Sequence, residues 1–480
     1  MMFGGGDFIY RQQDMGVIHV NTSDSPSDNA TPALTPSSPS SKYTKSSIPG
    51  LDETNSPFRG IVLTFWDNIL GPRVRHVWRI NQREVLQSDL LSHITSQVLS
   101  CEICRDPFKC DIDYKFYNLP HKGVIVPAFV FSAKGTHGIA VHSLYIVIPS
   151  SELKFYLEIH ETLTCCFQRL TGKFRVILDK NDFDTSIEVF TKYLMECVRF
   201  LSLVHFSSLA DMISISDTAF CPEHVLERDF LARCVASHLM TFGRTLVIGE
   251  TADRINLVLY TLSMFNSQPE RRCSLPLCVK DPKPYHHDFF LQGLIKEDSK
   301  KFLPMTEIFA SRYPTTIIDL TSRDVKQTET YSDHILHRYE TIKNELICLQ
   351  YGHFEELVVL DQDLHASSAY PDTLVQTFMK EIFELPETCW IREAYISQFM
   401  RMLHKRAQCL IECAKAESND GTVPLKLQTL RKIRNDLQLH AEGDFRIVLA
   451  TAEKLKPGFF CFLKTHRKAE RDQTKNVEVL

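Results

Sequence analysis

The rhythm of hydrophobic and polar positions changes at Phe58. Before it, residues 21–57 are dominated by Ser, Thr, Pro, Asn and Asp. Such a segment buries too little apolar surface to offset the entropy of ordering it, so residues 1–57 are expected to form a disordered arm. Its Ser-Pro and Thr-Pro pairs suit phosphorylation. After Phe58, Ile61, Leu63 and Phe65 alternate with Val62, Thr64 and Trp66, the period of two expected of a strand. DNILGP breaks the run and RVRHVWRI resumes it, so FWDNILGPRVRHVW (65–78) reads as a hairpin. Strict alternation puts Val74, His76, Trp78 and Ile80 on one face and Arg73, Arg75, Val77 and Arg79 on the other. Strands follow at YKFYNL, GVIVPAFVF and GIAVHSLYIVIP, then helices within ELKFYLEIHETLTCCFQRL and DTSIEVFTKYLMECVRFLSLV. Strands first and helices next predict a small α/β sandwich over 58–206.

SSLADMISISDTAFCPEH (207–224) reads as a polar linker. A second α/β layer is predicted over 225–348. It comprises a helix in VLERDFLARCVASHLMTF, a strand RTLVIG, a helix ADRINLVLYTLSMF, and strands at FFLQGLIK, KFLPMTEIF and TTIIDL. The region 365–464 reads as helical. Leu374, Val375, Phe378, Met379, Ile382 and Phe383 form one apolar face after YPDT, and Tyr395, Phe399, Met402, Leu403, Leu410 and Ile411 form a second. Phe445, Val448, Leu449, Ala452 and Leu455 form a third, ended by Lys-Pro-Gly, and 465–480 is a charged tail.

The chain has 480 residues, which suggests roughly three domains. Its 44% hydrophobic and 24% charged residues are those of an ordinary globular protein. Net charge is −5 and the pI about 6.4, so no global field favours nucleic acid or an anionic membrane. Fifteen scattered cysteines fit reduced thiols better than a disulfide framework. The N-terminus lacks the pattern of a secretion signal, and the longest apolar run, GVIVPAFVF, is far short of the roughly 20 residues a membrane span requires. The expected setting is cytoplasmic, with any membrane contact indirect.

Candidate chemistry is sparse. Cys101 and Cys104 form one CxxC with Cys110 nearby, but no second pair completes a structural zinc site, so no metal is expected. His286–His287 and His334/His337 lie outside any HExxH pattern, and HETLTC ends in Cys165 where a second histidine is required. The one Gly-Lys, at 172–173, is followed by Phe174, so no phosphate-cradling P-loop exists, and GxSxG and kinase motifs are missing. These absences predict no active site and no cofactor of the chain's own. KLQTLRKIRNDL (426–437) is a basic amphipathic helix, most simply a solvated face. Arg73 and Arg75 remain. A hairpin arginine can act as a transition-state finger on a GTPase, worth about 10³–10⁵ in rate, or serve only docking and solubility. Composition leaves both open.

Several blocks, in one order from about Phe58 to about Phe462, resemble the longin–DENN family of small-GTPase regulators. They are FWDNILGPRVRHVW, SHL with LVIG and ADRINLVLYTL, FFLQGLIK with YPTTIIDL, DTLVQTFMKEIF, and AEGDFRIVLATAEKLKPG. The resemblance implies an α/β fold: a longin (upstream DENN) domain, then central and downstream DENN regions, the last largely helical. It implies an exchange-factor-like regulator of Rab or Arf GTPases, working with a second longin–DENN subunit and a WD-repeat propeller in autophagy and endosome–lysosome traffic. Recruitment to lysosomes, endosomes and autophagosomes belongs to the same expectation. The alternative is a scaffold subunit of a GTPase-activating complex whose arginine finger sits on the partner. On either reading Asp67, Asn68, Arg73 and Arg75 are docking candidates, and Phe399, Leu403 and Leu410 are candidates for a partner interface or core helix.

Overall fold

A computed structural model of the chain describes residues 43–48, 56–80, 86–102, 105, 111–135, 138–206, 209, 213–221, 223–224, 226–296, 305–328, 330–352, 371–386, 388–418 and 425–463. The chain is α/β with a largely helical last third, as the hydrophobic periods predict. It divides into two units, the main boundary falling after Phe206.

The first unit is a six-stranded sheet in the order β1-β3-β2-β6-β5-β4. Its strands are β1 (Thr44–Ser47), β2 (Gly60–Asp67), β3 (Gly71–Arg79), β4 (Asp113–Leu119), β5 (Val124–Gly135) and β6 (Gly138–Pro149). Helix α1 (Ser88–Leu99) covers one face, setting Leu91, Ile94 and Val98 against Val62, Val77, Val126 and Val147. Helices α2 (Leu153–Lys180) and α3 (Phe183–Phe206) cover the other. There Phe129 stacks on Phe167, Phe131 meets Phe174, and Trp78 meets Phe190 edge-on at 5.5 Å. Cover on both faces explains why β5 is a nearly unbroken apolar run.

One expectation fails here. Within the predicted disordered arm, residues 44–47 form β1, paired parallel to β3 from Thr44↔His76 to Ser47↔Arg79. Backbone hydrogen bonds and two side-chain hydroxyls hold it, so hydrophobic content was a poor guide. The remaining arm residues other than 43–48 and 56–57 lie outside the described residues.

The second unit begins with a packed stretch, contrary to the linker reading. Ile215, Ala219 and Phe220 are buried in its core. Ala219 N–H donates to Thr261 Oγ1, Ile215 N–H to Glu393, and Arg392 to the Phe220 carbonyl. Next come α4 (Arg228–Met240), β7 (Thr245–Gly249), α5 (Ala252–Ser263), α6 (Gln268–Arg272), β8 (Leu291–Ile295), α7 (Met305–Ala310), β9 (Thr316–Asp319) and β10 (Asp324–Gln327). The strands form a sheet ordered β10-β9-β7-β8, with β7 parallel to β8 and β9 and only β10 antiparallel. KFLPMTEIF, expected as a strand, holds α7 instead. Consecutive Ile308 and Phe309 both pack on Leu246 and Ile317, which a strand's alternation would forbid.

After α8 (Tyr331–Gln350) come α9 (Thr373–Glu384), α10 (Cys389–Glu417), α11 (Leu427–Asp436) and α12 (Glu442–Leu455), the last of the described elements. Two helix starts cap each other. Asp372, before α9, accepts from Gly443 N–H in α12 at 2.6 Å, and Asp444 in α12 accepts from Leu374 N–H in α9 at 3.0 Å. Each carboxylate satisfies an orphan donor of the other helix and meets its positive end. A Cβ at Gly443 would lie 2.6 Å from Asp372 Oδ2, so that carboxylate would have to shift. Burial pushes the Asp444 carboxyl up, with Asp372 adding to the shift, while Leu374 N–H and Arg406 oppose it.

A buried polar network ties the sheet to α4. His238 bonds Thr245 Oγ1 at 2.8 Å and Asn266 Oδ1 at 3.0 Å, and Asn266 donates to the Gly243 carbonyl. Since Asn266 Oδ1 only accepts, His238 carries its proton on Nε2 and accepts at Nδ1. Ser237, Thr241, Thr316 and Gln327 extend the network to Arg446 on α12.

Asp444→Ala is expected to cost about 1–2 kcal/mol by leaving the α9 start uncapped. Gly443→Ala should also destabilise by displacing Asp372 from the residue 443 N–H, both read from urea unfolding. Burial lowers His76 and His142 in the first unit, and His238 and His334 in the second, to about 4. The unfolded chain, with imidazoles near 6.5, therefore binds more protons between those values. Stability should be full above about pH 6.5 and fall as pH drops toward 4, which thermal melts across that window would read.

Candidate functional site

The hairpin is built from its turn outward. In the β2–β3 register Asp67 faces Gly71, leaving Asn68, Ile69 and Leu70 as the loop. Asp67 Oδ1 accepts from Ile69 N–H at 2.8 Å and Leu70 N–H at 3.0 Å, closing the turn with a side chain. Gly71 sits at φ +76°, where a residue with a Cβ is strained. The turn so fixed holds Ile69 92% and Leu70 61% exposed, beside exposed Asn68. Two aliphatic side chains therefore stand together in solvent at the tip.

Below the turn the strict alternation fails. Leu63 pairs with His76 but Thr64 pairs with Val74, so Arg75 is an extra, bulged residue in β3. Val74 and Val77, three apart, consequently join the same α1-side cluster. Arg73 lies opposite Phe65, while His76 and Trp78 turn toward α2 and α3. The expectation that Arg75 faces away from His76 and Trp78 is thus corrected. Its guanidinium lies 3.9 Å from the Phe183 ring centroid and 5.5 Å from that of Phe65. It also bonds His142 Nε2 at 3.3 Å. His142 Nδ1 lies 3.0 Å from the Ala140 carbonyl, so Nδ1 carries the proton and Nε2 accepts from Arg75. Burial lowers the Arg75 pKa and the nearby Asp184 charge opposes that shift.

The structure therefore brings Asp67, Asn68 and Arg73 toward one end of the hairpin and sets Arg75 deeper, against aromatic rings. Ile69 and Leu70 were missed by sequence reasoning, although two aliphatics inside a turn that normally carries polar residues were a visible signal. Phe399, Leu403 and Leu410 lie in the core of the second unit, Leu403 and Leu410 fully buried. On α11, Leu430 and Ile433 enter that core, while Lys426, Arg431 and Lys432 are exposed. Arg434 lies over Phe445 and pairs with Glu442 at 3.0 Å. Cys101 is exposed, and Cys104 and Cys110 lie outside the described residues. Among the described residues no group of three His, Cys, Asp or Glu side chains is placed to hold a metal ion. The hairpin offers a shaped surface, not a nucleophile with its base.

Comparison with known proteins adds identity to this geometry. The C9orf72-like protein family matches residues 93–334, a span that begins beyond the hairpin. A human protein named guanine nucleotide exchange factor C9orf72 is 30% identical over 466 residues, covering 89% of this chain and 95% of the relative. The mouse and rat homologues match to the same extent.

Gly71→Ala should destabilise the hairpin by about 1–2 kcal/mol through its left-handed backbone. Asp67→Ala should loosen the turn by removing two acceptor bonds. Faster hydrogen exchange at the Ile69 and Leu70 amides, with β5 and β6 unchanged, is the expected result for Asp67→Ala.

Proposed function

This chain belongs to the C9orf72-like protein family, and on that premise we propose that it regulates a small GTPase by favouring release of its guanine nucleotide. The observation that carries the proposal is near full-length similarity to a protein named a guanine nucleotide exchange factor. Exchange requires no acid, base or nucleophile from the regulator. It requires a surface that binds the nucleotide-free GTPase more tightly than the loaded one, because a ligand shifts an equilibrium only by its differential affinity. The hairpin tip supports this reading: a fixed turn, two exposed aliphatics, and Asp67, Asn68 and Arg73 around them. Rab and Arf proteins are the proposed targets. The proposed setting is a longin–DENN heterocomplex with a WD-repeat propeller, cytoplasmic and recruited to lysosomes, endosomes and autophagosomes, and rests on the sequence resemblance.

A second reading, a scaffold within a GTPase-activating complex, draws support from Arg75. A half-buried guanidinium stacked on Phe183 is poorly disposed to reach across to a nucleotide, so an arginine finger would come from a partner.

Release of fluorescent guanine nucleotide and of phosphate from a panel of Rab and Arf proteins separates the two. The chain alone, or with its proposed partners, should accelerate nucleotide release. Phosphate release that appears only with partners would favour the scaffold. Ile69→Asp with Leu70→Asp should lower the exchange rate at least about tenfold, the equivalent of 1.4 kcal/mol, with assembly intact. Unchanged exchange would remove the hairpin tip from the working surface.

A further inference from the structure

The short edge strand β1 has a construction unlike the rest of its sheet. It pairs parallel to β3 over four residues and is the outermost strand. Ile48, just after it, is buried and donates its N–H to the Arg79 carbonyl at 3.1 Å. Thr44 and Ser46, two apart, point to one face, and both reach His76. Thr44 Oγ1 lies 2.6 Å from His76 Nδ1, and Ser46 Oγ lies 2.8 Å from Nε2. Thr44 also donates its hydroxyl proton to the Arg75 carbonyl at 3.3 Å. With that proton spent, Nδ1–H donates to Thr44 Oγ1, and Nε2 is left to accept the proton of Ser46. The clasp therefore uses the single proton of each hydroxyl. His76 is 3% exposed, packed edge-on against Trp78 at 4.5 Å, and burial keeps its ring neutral.

We propose that Thr44 and Ser46 are phosphorylation sites, and that modification of either releases β1 from the edge of β3. A protein kinase moves the γ-phosphoryl group of a nucleoside triphosphate to Oγ. The Oγ–H proton passes to the kinase's base, an Oγ–P bond forms, the bond from the γ-phosphorus to its bridging oxygen breaks, and the nucleoside diphosphate leaves. On Thr44 the proton lost is the one given to the Arg75 carbonyl, and on Ser46 it is the one given to His76 Nε2. On Ser46 an ester oxygen then faces the Nε2 lone pair, and both are acceptors. The phosphate also brings about −1.5 to −2 charges against a buried neutral ring and an indole.

A four-residue parallel edge strand gives the kinase its opening, since so short an element opens locally at little cost. Thr44 is exposed and Ser46 half-buried even in the closed state. Lys42 and Lys45 lie beside the hydroxyls in sequence, a cationic context for an acidic kinase groove. Release bares the N–H and C=O groups of β3 that β1 had paired, which is the form of edge another extended strand can join. The modification thus governs whether this side of the sheet is closed by the chain itself or open to a partner.

Hydrogen exchange on the full chain tests this, following residues 74–79. The chain would be made with phosphoserine incorporated at position 46, alongside wild type and Ser46→Pro, whose missing N–H, on the β3-facing side like that of Ile48, disrupts β1 pairing without a charge. Exchange at 74–79 should rise about tenfold or more with phosphoserine, approaching the proline variant, while β5 and β6 stay protected. Wild-type protection in the phosphoserine protein would show the phosphate accommodated in the closed strand and overturn the proposal. A rise that spreads through β5 and β6 would also overturn it, because modification would then unfold the sheet instead of opening one edge.

Discussion

Arg75 is one residue too many for β3, and the geometry of the hairpin depends on that surplus. A bulge shifts the side-chain pattern by one position without breaking the strand pair. Above it, Val74 falls on the α1 side; below it, Val77 falls there too. His76 and Trp78 are therefore delivered to the α2–α3 side, where Trp78 Nε1 donates to Thr191 Oγ1 at 2.8 Å. The same turn lets His76 serve β1 and lets Arg75 lie on Phe183. One insertion thus links the root of the hairpin, the edge strand and the half-buried cation.

The second unit adds polar devices to its apolar and aromatic packing. Its apolar core is broad, running from α4 and α5 through α9, α10 and α12, and apolar contact alone does not fix helix register. The exchanged caps of Asp372 and Asp444 do so, since each accepts from one particular N–H of the facing helix. The His238 network performs the same task between α4 and the sheet. Satisfied buried polar groups specify one arrangement because any slip leaves a donor or acceptor without a partner.

The sequence was most legible where burial is periodic. Strands β2 to β6 and helices α4, α5, α9, α10 and α12 follow from apolar spacing, and the Asp-Asn…Gly-Pro turn follows from its residues. Structure held together by distant polar partners was not legible. Nothing in Thr44–Ser47 signals a strand until His76 is placed beside it. The stretch around Ile215 and Phe220 looks like a linker until Glu393 and Arg392 supply partners far along the chain. The bulge belongs to the same class. It is a property of the pairing of β2 with β3, and β3 alone reads as a regular strand. Helix α7 was lost because a short apolar run suits either period until its packing partners are known.

These features make the hairpin rigid at its base and apolar at its tip. Trp78 is fully buried, while Ile69 and Leu70 stand in solvent on a turn closed by Asp67. Its turn is closed by two side-chain hydrogen bonds, which lower the entropy that fixing it would cost. The arginines divide accordingly. Arg75 stacks on Phe183 and donates to His142, and a desolvated cation–π contact is worth up to about 2 kcal/mol before the hydrogen bond is counted. Drawing it out as a catalytic finger would forfeit both contacts and leave His142 Nε2 buried without its donor. Arg73, on the tip side of the bulge, carries no such stacking among the described contacts. The hairpin accordingly presents Ile69 and Leu70 to solvent above a base whose arginine is held against aromatic rings.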